Sequence, residues 1–113
     1  MKAMSTKSTI SRHGMTLPMD QLTDFCHRWK IQELSIFGSY LRDDFGPDSD
    51  LDFLYTFVDN ATWSLFDLVR MDEELAAIVG RPVDLVDRVT IEGSENWIRR
   101  REILGTAEVI YVA

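Results

Sequence analysis

The side chains with chemistry to offer lie between Leu34 and Phe57. Asp50 and Asp52 stand two residues apart in the run Asp50-Leu51-Asp52-Phe53-Leu54-Tyr55-Thr56-Phe57. In a strand, residues i and i+2 point to the same side, so both carboxylates project together from one face. Two neighbouring carboxylates repel each other unless a cation sits between them, and Mg²⁺ is the cation that carboxylates hold against phosphate groups. Ten residues before this pair, Gly38-Ser39 ends a short apolar run, Leu34-Ser35-Ile36-Phe37. A Gly-Ser step that breaks a strand and starts a helix offers backbone N–H groups and a hydroxyl to a phosphate. Glycine matters there because a side chain would block close backbone approach. A phosphate cradle beside metal-holding carboxylates is the equipment of phosphoryl or nucleotidyl transfer.

The elements that must position these groups follow in order. Residues 1–15 are rich in Ser, Thr and Lys with almost nothing to bury, and read as a flexible N-terminal tail. Residues 16–113 read as the domain. Pro18 and Asp20 introduce a helix whose apolar face is Leu22, Phe25, Cys26 and Trp29, with His27 on the opposite side and without a catalytic role. Leu34–Phe37 is the first strand, Ser39 to about Phe45 a short helix, and Phe45-Gly46-Pro47-Asp48-Ser49 a turn. The second strand, about Leu51–Val58, places Leu51, Phe53, Tyr55 and Phe57 on one face and the aspartates with Leu54 and Thr56 on the other. Thr62 is the expected cap of a helix running to about Val79, with Leu65, Leu68, Val69, Leu75, Ile78 and Val79 as its core stripe and Asp72, Glu73 and Glu74 as its solvated face. Gly80 ends it. In the third strand, Arg81–Asp87, Val83 and Leu85 face the helices, so Asp84 points the way Asp50 and Asp52 do. Ser94 caps a final helix to about Leu104, with Trp97 and Ile98 in the core, and residues 108–112 form a last strand. The expected class is α/β (α+β), a small mixed sheet with helices on one face and the other face partly open.

Composition narrows the partners. A chain of 113 residues builds one modest core. Its net charge of −7 argues against a long polyanion as main substrate, since nucleic-acid binding rests on clustered Lys and Arg. The one basic run, Arg99-Arg100-Arg101, cannot form a single patch on a helix, where successive residues point about 100° apart; one or two of the three are left to meet an acidic partner or a nucleotide. The lone Cys26 forms no intrachain disulfide and reads as a small buried residue. No apolar run reaches membrane-span length and no secretory h-region opens the chain, so a cytoplasmic location is expected.

The arrangement Gly38-Ser39, ten residues, Asp50-x-Asp52 resembles the signature of nucleotidyltransferases related to DNA polymerase β. The fuller wording from Phe37 to Leu54, with Gly80-Arg81-Pro82-Val83-Asp84-Leu85-Val86 and Asn96–Leu104, resembles the minimal nucleotidyltransferase (MNT) proteins, the MntA-like antitoxins paired with HEPN toxins. The resemblance spans roughly Leu17 to the C-terminus. It implies that Asp50 and Asp52 hold Mg²⁺ against the triphosphate of ATP, that Gly38 and Ser39 hold phosphate oxygens, and that Asp84 is a further metal ligand or the base for the attacking hydroxyl. It also implies AMP transfer to a tyrosine of a cognate HEPN RNase toxin, which it silences in a hetero-oligomeric pair. Tyr40 departs from the Arg common after Gly-Ser in the wider superfamily.

Plainer readings stand beside these. The paired aspartates also suit solvated strand-edge charges, Ser39 also suits a helix cap, and Asp84 also suits a polar residue on an open sheet face. Asp43, Asp44 and Asp48 read as loop charges, and Arg42 as the partner of a neighbouring Asp. Two rival functions remain open here: a binding antitoxin that masks its toxin without catalysis, and a nucleotidyltransferase acting on a small-molecule acceptor.

Overall fold

A computed structural model describes residues 10–113. Its frame is a four-stranded mixed sheet. β3 (Ile31–Phe37) lies at the centre, antiparallel to β4 (Leu51–Phe57) and to β6 (Glu108–Val112), while β4 runs parallel to β5 (Val83–Asp87). The parallel pair needs a crossover, and α2 (Leu65–Val79) supplies it. With α1 (Met19–Arg28), α2 covers one sheet face around Leu22, Phe25, Leu34, Ile36, Phe53, Met71 and Leu75, all buried. Cys26 is buried in that core, where desolvation pushes its thiol up to about 12, so it packs as an apolar residue. Among the described residues no helix is long and apolar enough to cross a membrane.

The opposite face is covered as well, over part of its area. Asp87 caps a short helix, α3 (Arg88–Glu92), by accepting from the Val89 amide at 3.0 Å. α4 (Trp97–Thr106) follows, and Ile91 and Ile103 close over Phe37 and Leu54. Leu54 therefore has a core of its own on the aspartate side of β4, and the helices are not confined to one face.

Several local expectations shift. Of the segment read as a tail, residues 1–9 lie outside the described residues. Residues from Ser11 onward form a hairpin, β1 (Ser11–Arg12) with β2 (Met15–Thr16). The 3₁₀ turn after β3 is short, Gly38–Leu41, because Arg42 is already extended. α2 is capped by Ser64 rather than Thr62: Ser64 and Asp67 bond each other's backbone amides reciprocally at 3.0 and 3.1 Å, a capping box. Leu68, Met71 and Leu75 of this helix turn inward, and Leu65 and Val69 are exposed. Glu74 is not a solvated charge, since its carboxylate accepts from the Trp29 indole at 2.9 Å and pairs with Arg28. Asn96, not Ser94, caps α4, accepting from the Arg99 amide at 3.1 Å. Trp97 and Ile98 are exposed at 56% and 63%, which removes them from the core. Gly80 does end α2, at φ 76°.

Candidate active site

β3 must stop before the chain can turn back as β4, and Gly38 is where it stops. Its φ of +75° lies in the left-handed region that favours glycine. A second constraint is tighter still. A Cβ built on Gly38 would stand 2.1 Å from Asp52 Oδ2 and 3.0 Å from Asp52 Cγ. The Asp52 carboxylate thus occupies the space that a side chain at position 38 would need. The Ser39 backbone amide is turned to that same carboxylate and favours its charged form.

Pairing of β4 with β5 sets the second carboxylate. Asp52 and Asp84 are register partners on these parallel strands, side by side on one face. Burial, then the nearby charge of Asp84, raises the Asp52 carboxyl above the usual carboxylate range; Ser39's amide works against this and Asp50 adds to it. Asp52 is half-buried, whereas Asp50 and Asp84 are exposed. Asp50 sits just before β4 begins, and its carbonyl accepts a long bond of 3.4 Å from Ser39 Oγ.

A cleft of roughly 580 Å³ opens over these groups. Asp52 and Asp84 form one wall, Phe37, Gly38, Leu41 and Arg42 another, and α4 supplies Arg99, Glu102, Ile103 and Thr106, with Glu108 at the start of β6. Of the residues singled out in the sequence, Gly38, Asp52 and Asp84 line this cleft, while Ser39 and Asp50 lie beside it, linked to each other by the Ser39 bond. Arg42 also lines it, although its guanidinium is drawn to Asp44 at 3.4 Å. Tyr40 does not: it is fully buried, with its hydroxyl donating to the Ile10 carbonyl at 3.1 Å.

Arg99 is the basic cleft residue that spacing alone did not single out. The signal was its triplet, but only the docking of α4 beside β3 and β4 determines which of Arg99, Arg100 and Arg101 meets the cleft. Arg100 turns back to the Ser94 carbonyl at 2.6 Å, and Arg99 enters the cleft wall.

The carboxylates suit a divalent cation. Asp84 and Asp50 both add to the burial that raises the Asp52 carboxyl, and a bound cation would relieve their repulsion. Among the described residues no three His, Cys, Asp or Glu side chains converge into a ready-made metal cage. Mg²⁺ ordinarily asks for less, because one or two carboxylates hold it with substrate phosphates and water completing the shell.

A mixed sheet whose Gly-Ser turn packs against a strand-borne aspartate at the edge of a cleft has the plan of a nucleotidyltransferase domain, and a model of that domain matches residues 19–110. The chain is 35% identical over 77 residues to protein adenylyltransferase MntA of Thermococcus cleftensis, covering 68% of this chain and 76% of that relative. In fold it is similar to a chain in a crystal structure of a toxin–antitoxin with AMP-PNP, with TM-score 0.64, 19% identity, and coverage of 86% of this chain and 75% of that one. It is similar also to a chain in the structure of tri-AMPylated Shewanella oneidensis HEPN toxin in complex with MNT antitoxin, with TM-score 0.56, 19% identity, and coverage of 83% and 69%. These two likenesses speak to fold alone. The chain belongs to the nucleotidyltransferase domain family, within its minimal, MntA-like branch.

Proposed function

We propose that this protein is an antitoxin that transfers AMP from ATP to a tyrosine hydroxyl of a HEPN-type toxin. The observation that carries the reading is the seating of the Asp52 carboxylate against Gly38, with Asp84 beside it in register. On this reading Asp50 and Asp52 would hold Mg²⁺ against the triphosphate. When bound, Mg²⁺ offsets the phosphate charge that repels an incoming nucleophile. Gly38 and Ser39 bind phosphate oxygens through the turn, and Arg99 and Arg42 supply positive charge at the cleft walls. The acceptor oxygen bonds to the α-phosphorus as the bond to the β-phosphate oxygen breaks, and pyrophosphate leaves. Asp84, exposed at the cleft edge, serves as a further ligand or takes the hydroxyl proton.

The protein acceptor is supported by the kinship with a protein adenylyltransferase. The toxin partner is supported by the occurrence of this fold in the complex of tri-AMPylated HEPN toxin with MNT antitoxin. The test is label transfer from ATP carrying the isotope at the α- or the γ-phosphate, with the partner toxin present. Label on the toxin from α-labelled ATP alone is the expected result. Label from γ-labelled ATP would make the chain a phosphoryl transferase, and no label on the toxin from either would remove the toxin as acceptor.

A further inference from the structure

The turn that carries Gly38 is gripped from behind by the N-terminal hairpin. Arg12 forks two successive carbonyls of that turn: Nε donates to Tyr40 O and Nη2 to Leu41 O, each at 2.9 Å. His13 Nε2 reaches the same Tyr40 carbonyl at 2.8 Å, and since a carbonyl only accepts, the ring donates there from Nε2–H. In return, the buried Tyr40 hydroxyl donates to Ile10 O at 3.1 Å. The His13 ring also stacks on Phe45, in the loop leading to Asp50, with centroids 4.8 Å apart.

The hairpin's own backbone argues that these contacts matter. His13 and Gly14 are its two loop residues, with φ of +57° and +76°. A two-residue turn with both φ positive favours Asn-Gly, and histidine is among the few side chains that also enter that conformation. What histidine brings in place of asparagine is the ring, and the ring's contacts are with the Tyr40 carbonyl and Phe45. The opposite side of the turn faces the site, because Gly38 lines the cleft and the Ser39 amide is directed at Asp52.

We infer that Arg12 and His13 are positioning residues, which hold the carbonyl side of the Gly38–Leu41 turn so that its amide side stays fixed against the Asp52 carboxylate at the nucleotide cleft. This rests on the proposed nucleotide-transfer reading. It also explains how a chain with Tyr at position 40 keeps its turn in place, since the tyrosine serves as the anchor on which the hairpin closes.

The test uses the full chain, with His13→Asn and Arg12→Ala. Three quantities are measured: thermal unfolding, amide hydrogen exchange at Gly38–Arg42 without nucleotide, and the Kd for ATP with Mg²⁺. Asparagine suits the hairpin backbone, so His13→Asn should leave the unfolding temperature unchanged or raised. The same variant should speed exchange at Ser39 and at Arg42, whose amide is held by Ser39 O at 2.9 Å, and weaken ATP binding roughly tenfold. A merely structural contact would lower stability and leave the turn's exchange in step with the rest of the sheet. Unchanged exchange at Ser39 and Arg42 in both variants overturns the inference. If Arg12→Ala fails to fold, His13→Asn decides alone. A wild-type chain that binds no ATP defeats the nucleotide reading, while the exchange result still decides whether the hairpin holds the turn.

Discussion

Gly38→Ala is the substitution whose cost the structure specifies best. Position 38 carries φ +75°, and placing a Cβ in the left-handed region costs about 1–2 kcal/mol. The added carbon would also lie 2.1 Å from Asp52 Oδ2. Relieving that overlap means displacing the Asp52 carboxylate, and overpacking of this kind costs about 1–3 kcal/mol. The whole penalty is then about 2–5 kcal/mol, a large share of the roughly 5–15 kcal/mol that stabilises a domain. Urea unfolding in EDTA reads it directly in wild type, Gly38→Ala, Asp52→Ala and the double variant.

The backbone share and the steric share separate in that cycle. In the Asp52→Ala background Oδ2 and Cγ are gone and only the Cβ contact at 3.3 Å remains. Gly38→Ala should there cost only its backbone share, about 1–2 kcal/mol. Equal cost in both backgrounds would refute the claim that Gly38 exists to seat the Asp52 carboxylate.

Other perturbations follow from the same geometry. Arg99→Ala should raise the Kd for ATP with Mg²⁺ roughly tenfold, about 1.4 kcal/mol, while the unfolding temperature moves little because Arg99 is exposed; calorimetry of binding and of unfolding checks both halves. Asp52→Asn, in metal-free buffer, should stabilise the fold above the ordinary Asp range. The folded-state pKa of Asp52 is raised, so the folded chain binds the proton more tightly than the unfolded chain, and the ionised group is a liability that appears as pH rises through the ordinary value to the raised one. The stabilisation by Asp52→Asn should therefore vanish below the ordinary Asp pKa, which unfolding midpoints across pH 3 to 8, as an approximate range around that value, would show. Ser64→Ala removes the capping box at the start of α2 and should cost about 1 kcal/mol in urea unfolding without altering ATP affinity.

What could be read in advance was local. Gly38, Ser39, Asp50 and Asp52 belong to one strand–turn–strand stretch, and the alternation of apolar and polar residues along each strand turns Asp52 away from Leu51 and Phe53, and Asp84 away from Val83 and Leu85. Gly80 was legible for the same reason, since a left-handed helix end needs only its own residue type. The parts that escaped depend on contacts distant in the chain. Arg99 enters the cleft because α4 docks over Phe37 and Leu54, which the triplet of arginines does not encode. Leu65 and Val69 have the spacing of a core stripe, yet α1 and β5 select the face bearing Met71 and Leu75. The hairpin at Arg12 and His13 carries too little apolar surface to register as an element, because beyond the packing of Ile10 and Met15 on the core it is held by hydrogen bonds to carbonyls about thirty positions away.

On the proposed reading, Asp50 and Asp52 support the transfer of AMP to a protein partner. The most direct measurement is the intact mass of the HEPN-type toxin co-expressed with the wild-type chain and with Asp50→Asn/Asp52→Asn. One or more AMP-sized increments on the toxin with wild type, absent with the double variant, is the predicted result. A toxin of unmodified mass that is nonetheless stably bound and inactive in both cases would contradict it.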